Sequence, residues 1–204
     1  MPILLVATRN AHKTAEIAAM LEGRLVVRDL SSAPGSPEVE ETGTTFEENA
    51  RIKADAISAF VRGWALADDS GLEVDALGGA PGVLSARFAG EPSNDAANNS
   101  LLLEKLSALP DVPRTARFRC VLALSRDGKT VATFDGAVQG RIMNAPRGNG
   151  GFGYDPLFVP DGFENTFGEL PAATKNAMSH RSRALAKFRA WLDANPGAMQ
   201  DDAT

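Results

Sequence analysis

The sequence predicts an α/β fold, a mixed central sheet flanked by helices, and three observations carry that prediction. Short apolar, β-compatible runs alternate with stretches of helical periodicity along the 204 residues. The chain opens as a strand, a tight polar turn and a helix. Its second half contains an antiparallel hairpin, so the sheet is not purely parallel. There is no internal repeat and no long linker, and residues 1–204 read as a single domain with a frayed tail at 195–204.

The elements follow in order. Ile3 to Ala7 is a short apolar strand ending at Thr8-Arg9-Asn10. From Ala11 the pattern turns helical: Ile17, Met20 and Leu21 share one face, Lys13 and Glu16 lie on another, and Asn10 is placed to cap the first turn. Leu25 to Val27 suggests a second strand, and residues 31–43, rich in Ser, Pro, Gly and Glu, read as a loop. Thr45-Phe46-Glu47-Glu48 has the form of a capped helix start, and that helix continues through Ile52, Ala56, Ile57 and Phe60.

Trp64 to Ala67 is a buried strand running into Asp68-Asp69-Ser70-Gly71; Leu72 to Val74 follows, then the bend Gly78-Gly79-Ala80-Pro81-Gly82. Asn94 to Ala108 reads as a helix with Leu101, Leu102 and Leu106 toward the core. Strands at about 115–125 and 131–139 flank the turn Arg126-Asp127-Gly128-Lys129. A long glycine-rich loop spans 144–162, and a last amphipathic helix runs from about Ser179 to Leu192.

Composition narrows the function classes. The apolar share is 44% and the charged share 23%, ordinary for a globular protein. A net charge of −5 argues against a dedicated nucleic-acid binder, but a local cluster of Lys and Arg can still hold a small polyanion. The lone cysteine, Cys120, lies in the apolar run Cys120-Val121-Leu122-Ala123-Leu124 and reads as a small buried hydrophobe; no intramolecular disulfide can form. The first residues lack the basic and apolar regions of a signal peptide, and no apolar stretch approaches the roughly 20 residues that span a bilayer. The expectation is a soluble, cytoplasmic protein with no membrane partner.

Four segments carry chemistry. Thr8-Arg9-Asn10-Ala11-His12-Lys13 joins the first strand to the first helix, where free N–H groups and the helix dipole attract anions. Taken alone it reads first as an ordinary Asn-capped helix with an exposed Lys, and it is not a P-loop. The second segment is acidic: Glu38, Glu40 and Glu41 in a loop, and Asp68-Asp69 at a strand end. Mg²⁺ takes one or two carboxylates with water and substrate phosphates, although the loop acids also read as a solvated surface.

The third, Gly148-Asn149-Gly150-Gly151-Phe152-Gly153-Tyr154-Asp155-Pro156, contains the letters of a dinucleotide fingerprint without its context. No apolar strand feeds it, and Asp155-Pro156 blocks the helix that should follow. It offers two rings and a carboxylate for a base, or a surface turn with its aromatics folded inward. The fourth comprises Lys175 and Ser179-His180-Arg181-Ser182, a donor-rich helix start. With two histidines in the chain, a His-rich metal site is excluded and structural zinc is not expected.

Taken together and in order, these segments resemble the inosine triphosphate pyrophosphatase family, which hydrolyses dITP, ITP and XTP. The resemblance rests on Ala7–Lys13 with Glu16, Glu40-Glu41-Thr42-Gly43, Thr45–Ala50 with Lys53, Ala67-Asp68-Asp69-Ser70-Gly71-Leu72, Gly78–Gly82, Ser85-Ala86-Arg87, Gly150–Pro156 and Ser179-His180-Arg181. It implies a homodimer of two-lobed subunits with the active site in the cleft between lobes. It further implies that Thr8, Arg9, Asn10, Ala11, His12 and Lys13 bind triphosphate with Lys53. Glu40 and Asp69 would hold Mg²⁺, and Asp69 would also be the general base, with Ser70 touching substrate. Phe152, Gly153, Tyr154, Asp155, Lys175, His180 and Arg181 would form the nucleoside pocket. The activity implied is a Mg²⁺-dependent pyrophosphohydrolase that removes noncanonical purine nucleotides from the pool. The nearest alternative is a Maf-like pyrophosphatase with pyrimidine or modified-base preference; another is a nucleotide-binding protein without catalysis.

Overall fold

The computed structural model describes residues 1–109 and 111–199, and at His12 the backbone alone. Among the described residues, six strands and five α-helices follow the chain: β1 Ile3–Val6, α1 Ala11–Leu21, β2 Val26–Asp29, α2 Phe46–Val61, β3 Trp64–Val74, α3 Asp95–Ser107, β4 Thr115–Arg126, β5 Lys129–Ile142, β6 Phe158–Pro160, α4 Ala172–Met178 and α5 His180–Ala194. The strands form one sheet in the order β2-β1-β3-β4-β5-β6. β1 runs parallel to β2 (Ile3 beside Val26) and to β3 (Leu5 beside Ala65), whereas β5 and β6 are antiparallel (Gly140 beside Pro160). The mixed sheet expected from the sequence is present.

The chain divides into two compact units. The first comprises Met1–Asp69, Val121–Gly136 and the residues from Ser182 on; the second comprises Ser70–Cys120 and Ala137–Arg181. In the first unit, Ile17 and Leu21, one helical turn apart on α1, are fully buried along with Leu4 and Val6 of β1. Burial of each such side chain contributes about 1.5–3 kcal/mol. Phe134 of β5 packs on Phe188 of α5 with ring centroids 5.3 Å apart. The core of the second unit gathers Leu72, Leu102, Leu106, Phe118, Phe158 and Phe167. Phe118 meets Phe158 edge-on at 4.7 Å, a favoured aromatic geometry. Cys120 is fully buried in β4.

Local chemistry explains the element boundaries. Thr45 and Glu48 form a complete capping box at the start of α2: the Thr45 hydroxyl accepts from the Glu48 amide, and the Glu48 carboxylate accepts from the Thr45 amide. The β4–β5 turn places Asp127 and Gly128 at φ 51° and 86°, the double left-handed conformation of a tight hairpin.

Several boundaries differ from the sequence reading. The acidic pair is not at a strand end, because Trp64–Val74 is one continuous strand with Asp68 and Asp69 in its middle. Within 144–162, Phe158–Pro160 is a strand that borrows its order from Gly140–Ile142 of β5. Residues 172–178 form a separate helix, α4, and Ser179 breaks it from α5 with an extended backbone (ψ 161°). Of the segment read as a frayed tail, residues 195–199 hold turn hydrogen bonds (Ala198 N–H to Asn195 O, 3.1 Å) and Met199 is buried. Residues 200–204 lie outside the described residues. None of the described helices is long and apolar enough to cross a membrane.

Candidate active site

The first unit assembles the phosphate-type residues. The chain leaves β1 with the Ala7 amide donating to the Leu66 carbonyl at 2.8 Å, then tightens as the Thr8 amide donates to the Val6 carbonyl. The Thr8 hydroxyl accepts from the Asn10 amide at 3.0 Å, and Asn10 Oδ1 accepts from the Lys13 amide at 3.2 Å. Asn10 is therefore the side-chain cap of α1, as its position suggested. Arg9, Asn10 and Ala11 are exposed, Thr8 and Lys13 half-buried. The backbone of His12 lies in the first turn of the helix.

The mid-strand position of Asp68 and Asp69 has a chemical consequence. Neighbours on a strand project to opposite faces, so the two carboxylates take different lysines. Lys13 Nζ lies 2.5 Å from Asp68 Oδ1. Lys53, on α2, donates to Glu41 Oε1 at 2.7 Å, to the Asp68 carbonyl at 3.0 Å and to Asp69 Oδ1 at 3.3 Å. An ammonium has three protons, and those three acceptors match them. The loop that delivers Glu41 is fastened to the same helix: the Gly43 amide donates to Asn49 Oδ1 at 2.7 Å. Glu40, its neighbour, is exposed.

Electrostatically this group lacks positive charge. Burial pushes Asp69 above the ordinary aspartate range, Lys53 and Lys13 pull it back, and Glu41 and Asp68 add to the rise. Burial alone would lower the Lys53 ammonium, yet Asp69, Glu41 and Asp68 outweigh it and hold it above the ordinary lysine value. Both groups thus favour the protonated form, as expected where three carboxylates face two ammoniums. Asp69 Oδ2 is buried and has no hydrogen-bond partner among the described residues. A buried, orphaned carboxylate oxygen beside excess negative charge fits a divalent cation. Among the described residues no three His, Cys, Asp or Glu side chains form a ready-made cage. Such a sparse donor set suits Mg²⁺, which keeps waters and takes substrate phosphates, better than a metal held wholly by protein.

The second unit assembles a ring-and-cation group. Lys175 and Asp155 form a buried pair at 2.6 Å, with side chains only 7% and 3% exposed. Asp155 Oδ2 also accepts from the Phe152 amide at 2.8 Å, so the acid ties the glycine-rich turn to α4. The Phe152 ring faces two cations, Lys175 Nζ at 4.8 Å and the Arg181 guanidinium at 5.9 Å from its centroid. Arg181 is buried and donates to Ser70 Oγ at 3.2 Å; His180 is buried and stacks on Phe118 at 5.0 Å. Tyr154 matches the second reading of this segment, an aromatic folded inward. It is buried, its hydroxyl donates to the Ser85 carbonyl at 2.8 Å, and burial followed by the nearby Asp95 raises its pKa.

Two motif segments without an assigned role in the sequence meet here. Ser85 Oγ accepts from the Leu72 amide at 2.9 Å and donates to the Gly82 carbonyl at 2.6 Å. A Cβ at position 71 would collide with Ser85 Oγ and lie 2.6 Å from the Gly82 carbonyl, so only glycine fits after Ser70. Sequence reasoning also missed Asp95 and Asn99. Asp95 Oδ2 accepts from the Gly153 amide at 2.7 Å, and Asn99 Nδ2 donates to the Gly153 carbonyl at 3.0 Å. Their helix was legible, but the turn they hold is over fifty residues away in the chain.

An α/β chain with a buried carboxylate–lysine group in one unit and a buried ring–cation group in the other has the parts of a polyanion-handling enzyme. The Ham1 family model matches residues 4–191, and the chain belongs to that family. The dITP/XTP pyrophosphatase of Geobacter sulfurreducens is 54% identical over 194 residues, covering 94% of this chain and 97% of its own. That of Shouchella clausii is 47% identical over 190 residues, covering 93% and 96%. Among solved structures, a HAM1 protein from Coxiella burnetii superposes with TM-score 0.88 at 39% identity, covering 95% of this chain and all of that one. A nucleoside-triphosphatase / dITP/XTP pyrophosphatase from Mycobacterium abscessus gives TM-score 0.75 at 46% identity, covering 91% and 98%. The resemblance drawn from the ordered motifs is borne out.

Proposed function

We propose that this protein hydrolyses noncanonical purine nucleoside triphosphates, dITP, ITP and XTP, to the monophosphate and pyrophosphate. The observation that carries the proposal is Asp69: buried, its Oδ1 on Lys53 and its Oδ2 without a partner, in a chain whose relatives are named dITP/XTP pyrophosphatases.

The turn from Thr8 to Lys13 takes the triphosphate, with Arg9, the first-turn N–H groups of α1 and Lys53 contributing positive potential. Lys13 exchanges its Asp68 partner for a phosphate oxygen. Asp69 Oδ2 accepts a proton from the attacking water, while Lys53 fixes the carboxylate through Oδ1. The water oxygen bonds to the α-phosphorus, the bond from that phosphorus to the bridging oxygen breaks, and the electron pair leaves with pyrophosphate. Lys13, Lys53 and the N-terminus of α1 stabilise that leaving charge. Glu40 and Asp69 would hold Mg²⁺, which supplies neutralisation of the phosphates and a lower pKa for bound water.

Phe152 supplies a face for the base, and Ser70, Lys175, His180 and Arg181 line the nucleoside pocket. Asp155 acts from behind, accepting from the Phe152 amide, and Tyr154 anchors the turn through its hydroxyl on the Ser85 carbonyl. Hypoxanthine and xanthine carry a 6-oxo group that accepts from Arg181 or a backbone N–H, whereas the 6-amino group of adenine would leave those donors unpaired. A site built this way discriminates by roughly 10⁴ or more. The working assembly is a homodimer in the cytoplasm, without nucleic-acid or membrane partners.

The test is incubation with ITP, XTP, dITP, ATP, GTP and dTTP plus Mg²⁺, with pyrophosphate and orthophosphate assayed separately. Pyrophosphate from the first three alone is the expected result. Equal rates on ATP and ITP would overturn the base selectivity, and turnover of dTTP alone would favour a Maf-like specificity.

A further inference from the structure

Gly153 lies between the two aromatic residues of the glycine-rich turn, at φ 61°. A Cβ built there meets nothing within 4 Å, so glycine serves conformation at this position and not space. Such a residue is the natural hinge of the turn, yet both of its flanking peptide planes are held. The plane shared with Phe152 donates through the Gly153 amide to Asp95 Oδ2 at 2.7 Å. The plane shared with Tyr154 accepts, through the Gly153 carbonyl, from Asn99 Nδ2 at 3.0 Å. Asp95 and Asn99 are four residues apart on α3, one above the other on one helical face. One rigid element therefore fixes both dihedral angles of the glycine. The residue before it is pinned by Asp155, and the residue after it by Ser85.

We propose that Asp95 and Asn99 are positioning residues for base recognition, a clamp on Gly153 that aims the Phe152 ring at the substrate. The clamp rests on the functional reading above. The Phe152 ring shares its cations, Lys175 and Arg181, with the proposed pocket, so a swing of the Gly153 hinge would move the ring off both. The Coulombic influence of Asp95 on the Tyr154 hydroxyl agrees with this close approach.

The test uses the full chain with Asp95→Ala, Asn99→Ala and the conservative Asp95→Asn, which keeps an acceptor oxygen for the Gly153 amide. Loss of one positioning hydrogen bond is expected to raise KM for ITP about tenfold and to leave kcat within about threefold. Asp95→Asn is expected to restore KM toward wild type. The Gly153 amide, followed by hydrogen exchange, should lose protection in Asp95→Ala and retain it in Asp95→Asn. A wild-type KM in both alanine variants overturns the clamp, as does an equal fall in kcat without a change in KM. The wild-type substrate panel separates this from the functional reading. If another nucleotide is the substrate, that reading falls, and the clamp is judged by the same KM-against-kcat split on that nucleotide.

Discussion

Lys53 Nζ sits 3.3 Å from Asp69 Oδ1 while Asp69 Oδ2, on the same carboxylate, is buried without a partner. One oxygen is thus committed to orientation and the other is left for chemistry. Asp69→Asn preserves the shape but cannot accept the proton. Turnover of ITP is expected to fall by about 10²–10⁴ with the fold intact, read from pyrophosphate release and circular dichroism. Near-wild-type turnover would remove Asp69 from the chemistry.

The same carboxylate should cost stability when no metal is bound. Its folded pKa lies above the unfolded value, chiefly through burial. Its contribution is therefore fully favourable at acid pH and is lost as pH rises through the folded value. In a chelating buffer, Asp69→Asn should melt at increasingly higher temperature than wild type as pH climbs from about 4. Added Mg²⁺ should shrink that gap. Thermal melts across pH, with and without metal, check both statements; a gap that narrows with rising pH in chelator would contradict them.

Breaking the Lys175–Asp155 pair by Lys175→Met takes the ammonium away from a nearly buried carboxylate, at an expected cost of about 3–5 kcal/mol. Combining it with Asp155→Asn should recover much of that loss. Denaturant titrations of the single and double variants give the coupling directly.

Thr45→Ala removes the hydroxyl that caps α2 and should cost about 1 kcal/mol. Lys53 lies two turns further along the helix, so kcat should hold. Loss of activity at temperatures where the variant is fully folded would mean that the cap also sets the position of Lys53.

Gly71→Ala would drive a methyl group into Ser85 Oγ and the Gly82 carbonyl. Overpacking of this kind costs about 1–3 kcal/mol. Because Ser70 precedes it, KM for ITP should rise along with the loss of stability, seen by combining melts with steady-state kinetics.

The sequence made local features legible. Asn10 and the Thr45–Glu48 box act within one helical turn, and both were readable as caps. The β4–β5 turn was equally local. Asp68 and Asp69 were recognised, but their place in the middle of β3 was not, because Ser70-Gly71 looks like a turn until Ser85 is seen to dock there. Phe158–Pro160 exists as a strand only through pairing with β5, and α4 has no side-chain cap at Pro171 to announce it. The Lys175–Asp155 pair, the Tyr154–Ser85 contact and the hold of α3 on Gly153 join residues 20, 69 and more than 50 positions apart. Periodicity carries no signal over such separations.

The division of the chain has an evolutionary corollary. Asp69 and Ser70 are consecutive yet belong to different compact units, and so are Arg181 and Ser182. Each unit is stitched from non-adjacent segments, so no single cut yields either one whole. The carboxylate–lysine group nevertheless lies wholly within Met1–Asp69, and Phe152, Asp155, Lys175 and Arg181 lie wholly within Ala137–Arg181, so an exchange of either stretch would carry one group intact while leaving both units incomplete. Each half of this chemistry is thus portable as a segment, but a transplanted segment works only in a host whose remaining segments complete its unit.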